Sequence, residues 1–446
     1  MTPGATGRGG DADARAAGAA GAAGAELVAR DARHVWHPYT QHATDGPPLP
    51  VASARGAVLT LADGRELIDA ISSWWTCLHG HARPELLAAL SAQAETLDHV
   101  LFAGATHEPA VALAEELLAA APPGLSRVFY SDNGSTAVEV ALKIAYQAWV
   151  HAGQPQRRVF VALEGGYHGD TFGAMAVGDP EPFFRAFAPL LFEVRRVPVE
   201  TRAVQAAVAE LGERCAGVIV EPLVQGAAGM RMHAPSFLFD VRAACDAAGV
   251  PLIADEVMTG FGRTGTLFAC DQAGITPDLM CLAKGLTGGL LPLAATLATE
   301  RLYAAFLSTD RARMFFHGHS FTAHPLACAV ARASLALVRA EDTPAMLDAL
   351  GRKIELSLRA RLRTGDPARA RTGEVRRTGG IVAVDLALPA GGYLASAAPR
   401  LRAAAVERGV LLRPLGNVLY ALPPACTTEA QAERIAAVMA ELALLD

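Results

Sequence analysis

Short apolar runs that stop on a charge or run into a glycine-bearing loop constrain this 446-residue chain more than any other feature. Arg127-Val-Phe-Tyr130, Arg158-Val-Phe-Val-Ala-Leu163, Gly217-Val-Ile-Val-Glu221-Pro222, Pro251-Leu-Ile-Ala-Asp255 and Met280-Cys-Leu-Ala-Lys284 are each of strand length. Helix-like stretches alternate with them; over about 135–150, for example, Val138, Ala141, Leu142 and Ala145 share one helical face. This alternation predicts an α/β architecture in which a mainly parallel sheet is covered by helices. Ligands in such folds bind outside the carboxyl ends of the strands.

The flanking regions read differently. Residues 1–25 are almost entirely Ala, Gly, Arg and Asp, and are expected to form a disordered leader rather than a signal peptide or anchor. Residues 26–80 read as loops and short strands, with a hairpin turn at Asp63-Gly64-Arg65. Residues 81–340 hold the alternating pattern. In 341–446 a helix, the strand Gly380-Ile-Val-Ala-Val-Asp385, another helix and a closing pair of strands suggest a smaller α+β lobe.

Bulk properties narrow the function. A net charge of −6 and a pI near 6.1 favour neither nucleic acid nor an anionic membrane. No apolar run reaches the roughly 18 residues of a membrane span. Seven scattered cysteines without a CxxC pair fit a reduced, cytoplasmic protein and no structural metal.

Three polar loops carry candidate chemistry. Asp132-Asn133-Gly134-Ser135-Thr136 lies between a strand and a helix, so its amides and hydroxyls can cradle an anion; a plain helix cap is the alternative. Gly165-Gly-Tyr167-His-Gly169-Asp170 supplies an aromatic that can stack on a ring, or simply an ordinary turn with a packed tyrosine. Phe316-His317-Gly318-His319-Ser320-Phe-Thr322 offers further phosphate-binding groups, and its two histidines lack an acidic third ligand for a metal. An acid (Asp255) and a lysine (Lys284) at strand ends suit pyridoxal phosphate. That cofactor needs an amine to hold its aldehyde and a carboxylate to keep its ring nitrogen protonated.

Taken with Gly260-Phe-Gly-Arg263-Thr-Gly265 and Ala283-Lys284-Gly, these motifs resemble the class III aminotransferases of pyridoxal phosphate fold type I. The resemblance spans about residues 30–440. It implies a large domain with a mainly parallel seven-stranded sheet, and a smaller α+β domain made from the N- and C-terminal segments. Within the class, His37-Pro-Tyr39-Thr, Ser72-Ser-Trp74-Trp75, Val224-Gln-Gly226-Ala-Ala-Gly229 and Arg413-Pro-Leu-Gly-Asn-Val-Leu-Tyr420 are similar to the biotin-pathway branch. That branch passes the amino group of S-adenosylmethionine to 8-amino-7-oxononanoate.

The resemblance further implies roles. Lys284 and Asp255 hold the cofactor and, with Tyr39, carry the catalysis; Gly134 and Ser135 bind its phosphate, and Tyr167 stacks over its ring. His319 and Ser320 reach the same phosphate across a homodimer. Trp74, Trp75, Tyr39 and Tyr420 wall the substrate pocket beside Tyr167, Lys284 and Gly318, and Arg413 meets the carboxylate of the oxo acid. The chain departs from relatives in three places. Ala227 stands where glutamate-using members carry a gating Glu; Gly318-His319-Ser320 replaces Gly-Pro-Thr; and His324-Pro replaces Asn-Pro. The motifs leave the donor open between S-adenosylmethionine and lysine, and an ω-amino acid:pyruvate enzyme is the further alternative.

Overall fold

A computed structural model describes residues 9–364, 372–387 and 397–445. Sixteen strands are found among them. β1 (Val51–Arg55), β2 (Val58–Leu61) and β3 (Glu66–Asp69) form an antiparallel meander, turning between β2 and β3 at the expected Asp63-Gly64-Arg65. The central strands are β4 (Leu125–Ser131), β5 (Val159–Leu163), β6 (Val194–Val197), β7 (Cys215–Val220), β10 (Leu252–Asp255), β11 (Leu279–Leu282) and β12 (Ala294–Thr299). β8 (Val224–Gln225) and β9 (Arg231–Met232) make a small ribbon. β13 (Thr372–Thr378), β14 (Ile381–Leu386), β15 (Val410–Leu411) and β16 (Val418–Ala421) close the chain.

The seven central strands form one sheet in the order β4-β12-β11-β10-β7-β5-β6. All neighbours from β11 to β6 pair in parallel, and only β12 runs against its two neighbours. Every residue of β5, β7, β10 and β11 is buried. A parallel strand covered on both faces must be apolar throughout, which is why these runs show no alternation. Helices Gly134–His151, Thr201–Leu211, Pro235–Ala248 and Pro325–Ala340 bury their apolar faces around it.

The smaller domain joins both ends of the chain. β15 adds to β3 in parallel, giving the order β1-β2-β3-β15, while β16 pairs with β14 in a second sheet, β13-β14-β16. The closing strands are therefore no pair: each joins a different sheet, because Pro414 and the turn at Gly416 redirect the chain between them. Helices Thr343–Thr364 and Glu429–Ala443 pack together over a core that includes Ile354, Leu358, Ile435 and Met439.

The expected disordered leader is corrected over its described part. Gly9–His34 is one helix, and residues 1–8 of that leader lie outside the described residues. Alanine has the highest helix propensity, and the run from Ala16 to Ala25 is mostly alanine.

Candidate active site

The carboxyl ends of five central strands converge on one cavity of about 450 Å³. β4 leads into Asn133, Gly134 and Ser135; β5 into the Tyr167–Thr171 loop; β7 into Glu221; and β10 ends on Asp255. Lys284 follows β11, and Trp75 enters from the smaller domain's N-terminal segment. Two charged ends flagged in the sequence, Asp255 and Lys284, thus line the same space.

Its floor is a buried set of ionisable groups. Asp255 accepts a hydrogen bond from the Val257 amide at 3.1 Å, and its other oxygen lies 2.7 Å from His168 Nδ1. Burial alone would make His168 a weaker base, but its bond to Asp255 and the charges of Asp255 and Glu221 prevail and raise its proton affinity. The result is a carboxylate fixed in orientation by an imidazole behind it.

Glu221 accepts from the amides of Tyr167 (3.0 Å) and Gly226 (2.9 Å), and burial pushes its carboxyl up to about 7. Lys284 sits at φ +46° with Nζ 4.5 Å from the centre of the Trp75 ring. Desolvation lowers its ammonium to about 8, against the opposing pull of Asp255 and Glu221.

One wall is an anion cradle. The helix Gly134–His151 is closed by a capping box in which Asn133 Oδ1 takes the Thr136 amide at 3.1 Å. The Gly134 and Ser135 amides keep no protein acceptor among the described residues and border the cavity, at the positive end of an 18-residue helix. Ser135 Oγ is 2.7 Å from Thr171 Oγ1 and accepts the Thr171 amide at 3.0 Å. Gly169, at φ +123°, lets the two loops close: a Cβ there would fall 2.3 Å from Ser135 Oγ.

The rim is aromatic. Tyr39 donates to Asp170 Oδ1 at 2.6 Å and lies 3.1 Å from the Tyr167 hydroxyl, which also donates to Asp170 at 3.1 Å. Tyr39 meets Trp74 edge-on at 5.8 Å, and Arg413 Cζ stands 4.2 Å from the centre of the Trp74 ring. Trp75 donates through Nε1 to the Tyr420 hydroxyl at 3.0 Å. Adjacent tryptophans on a strand would face opposite ways. Here they lie on an irregular turn with left-handed φ at Ser72 (+50°), Ser73 (+60°) and Trp75 (+67°), so that Trp75 lines the cavity while Trp74 stands exposed between Tyr39 and Arg413.

Gly318, His319 and Ser320 do not border this cavity within the chain. They lie in an exposed stretch where His317 reaches Lys143 Nζ at 3.1 Å and His319 caps a local turn with Thr322.

Sequence reasoning named neither His168 nor Glu221 as site residues. Glu221 ends an apolar run just as Asp255 does, so the same signal was present. His168 stood within a highlighted loop, but its pairing with Asp255 spans 87 positions and only folding brings them together.

Comparison with known proteins agrees with this geometry. Residues 39–442 match the model of the family described as aminotransferase class-III. The adenosylmethionine-8-amino-7-oxononanoate aminotransferase of Synechococcus elongatus is 52% identical over 92% of this chain and 98% of its own length. The enzyme of the same name from Geobacter sulfurreducens is 42% identical, over 89% and 93%. Among solved structures, the adenosylmethionine-8-amino-7-oxononanoate aminotransferase of Methanocaldococcus jannaschii superposes with a TM-score of 0.89 at 35% identity, covering 93% of this chain and 98% of that one. A PLP-bound amine transaminase from an uncultivated Pseudomonas species gives 0.84 at 33% identity, covering 92% and 98%.

Proposed function

The chain belongs to the class-III aminotransferases, pyridoxal-phosphate enzymes, and from that premise we propose that it transfers the amino group of S-adenosylmethionine to 8-amino-7-oxononanoate. The product is 7,8-diaminononanoate, a step of biotin biosynthesis. The observation that carries the substrate reading is the rim: an aromatic wall ending in Arg413, whose guanidinium has no acidic partner among the described residues. A long-chain oxo acid needs an apolar wall with a cation at its far end, and a guanidinium fork fits a carboxylate. Aromatic faces also attract a sulfonium, by about 2 kcal/mol when desolvated. Ala227, without a carboxylate, provides no gate of the kind glutamate-using relatives need.

The residues around the cavity fit pyridoxal phosphate. The Gly134 and Ser135 amides with the Ser135 hydroxyl would hold its phosphate, Tyr167 would cover its ring, Asp255 would pair with its ring nitrogen and Lys284 would take its aldehyde. When bound, this cofactor supplies the electron sink that makes proton loss from the amine-bearing carbon feasible.

The chain supplies the rest. Lys284 Nζ removes that proton as a free amine and later returns one, a role its lowered proton affinity favours. His168 holds Asp255 in its working orientation. Tyr39 and Asp170 close the mouth over the reacting groups, and Arg413 fixes the chain end of the oxo acid. Two substrates use one site in turn.

We further propose a cytoplasmic homodimer, with 26–80 and 341–446 forming the small domain around 81–340. Gly318, His319 and Ser320 would then serve the partner's cofactor. The exposure of Gly318 and Ser320 supports this, as do the flanking Phe316 and Phe321, 69% and 58% exposed.

The test is a single half-reaction. S-adenosylmethionine alone should bleach the visible band of the purified protein, and 8-amino-7-oxononanoate should restore it. Bleaching by lysine instead, with none by S-adenosylmethionine, would transfer the enzyme to another donor.

A further inference from the structure

The turn that carries both tryptophans is held by a side-chain pair outside the cavity. Asp69, fully buried at the end of β3, receives the Ile71 amide (3.3 Å), the Ser73 amide (2.8 and 2.7 Å to its two oxygens) and the Ser73 hydroxyl (3.0 Å). It also lies 2.9 Å from His81 Nε2. The other ring nitrogen of His81 is 3.7 Å from Cys77 Sγ. The His81 backbone is anchored by paired hydrogen bonds with Gly56, at 2.8 and 3.0 Å.

Three features of this arrangement exceed what a simple turn needs. The segment it clasps passes through left-handed φ at three non-glycine residues, which persists only where surrounding bonds over-determine it. A buried carboxylate taking three backbone or hydroxyl donors already caps that turn, yet a second element brings an imidazole to it as well. Finally, Leu411 of β15 lies opposite Asp69, so the strand end that sets the tryptophan turn also launches the segment carrying Arg413.

We propose that the buried Asp69 and the half-buried His81 form an ion pair that positions Trp74 against Arg413 and Trp75 over Lys284, and so sets how tightly both substrates are held without touching either. This deepens the function proposed above and rests on its reading of the tryptophans as substrate walls. The charge state agrees: the bonds to Asp69 and Cys77 raise the His81 imidazolium to about 10, so it is protonated at neutral pH. Trp75 is the link to the chemistry, since the Lys284 ammonium rests over its face and Tyr420 holds its indole nitrogen.

The variants Asp69→Asn and His81→Gln each remove one charge with little change of size; in Asp69→Asn an NH2 donor also replaces one of the two accepting oxygens. In each, KM for S-adenosylmethionine and for the oxo acid should rise about tenfold, while kcat per cofactor-loaded site stays within about threefold. Near-ultraviolet circular dichroism from the tryptophans should change in parallel. A fall in Tm with unchanged KM and unchanged dichroism would reduce the pair to a structural turn cap and overturn the proposal. Should Asp69→Asn not fold, Ser73→Ala, which removes one of its bonds, should shift KM and dichroism in the same direction by less, and no shift in either would overturn it. If the wild type turns over neither substrate, the assigned function fails. The pair is then judged by the dichroism and by KM for whichever donor bleaches the visible band.

Discussion

The floor and the rim of this cavity are built by opposite strategies. The floor (Asp255, Lys284, Glu221 and the Gly134–Ser135 turn) comes from strand ends of a single sheet, each placed by its own apolar run. The rim (Tyr39, Trp74 and Arg413, with Tyr420 of β16 buried behind Trp75) comes from both terminal segments, joined where β15 adds to β3. Charges on the floor are buried and tune one another, whereas Arg413 on the rim meets the face of Trp74. On the function proposed above, the difference separates two tasks: the floor would hold what every substrate shares, and the rim would read what distinguishes one from another.

Substitutions can break that division. Lys284→Ala has the largest expected effect: turnover falls by at least about a thousandfold for every donor and acceptor, because the base is gone. Loss for one substrate only, measured in separate half-reactions, would place Lys284 with the rim. Arg413→Ala comes next. KM for the oxo acid should rise about thirtyfold or more, the value of a charged hydrogen-bonded pair, while KM for S-adenosylmethionine changes only a few fold. Equal effects on both would erase the rim's selectivity.

Glu221→Gln is the mildest and sharpens the picture of the floor. Its carboxyl is raised from 4.5 to about 7, so the folded chain binds this proton more tightly than the unfolded chain does. Wild-type stability from this group is therefore full below about 4.5 and is lost as pH rises through about 7. The glutamine variant should lack that slope in denaturation curves recorded across the window, with Tm altered by only a few degrees. An unchanged slope would assign the pH dependence to another group.

The floor was the legible part of this chain. A parallel strand covered on both faces must be a short apolar run, and its carboxyl end is where polarity returns. Asp255 and Lys284 could therefore be found without knowing which strands are neighbours. Glu221 carried the same signature. The rim was less legible from spacing: Trp74-Trp75 and Arg413 stood out only through family motifs, since nothing local says that a turn of left-handed residues will put Trp75 on the cavity and Trp74 against Arg413. The closing strands were legible as strands but not as members of different sheets. The described part of the leader took helical form, as its alanines favour.

Sequence by itself determined the parallel sheet and the acid and lysine at its strand ends, because burial on both faces and the return of polarity at strand ends are local rules. Tertiary structure alone decided that His168 stands behind Asp255, that Asp69 clasps the tryptophan turn, and that Arg413 reaches Trp74. Those contacts join residues far apart in the chain. Their geometry is fixed by packing between elements and not by the propensity of any one of them.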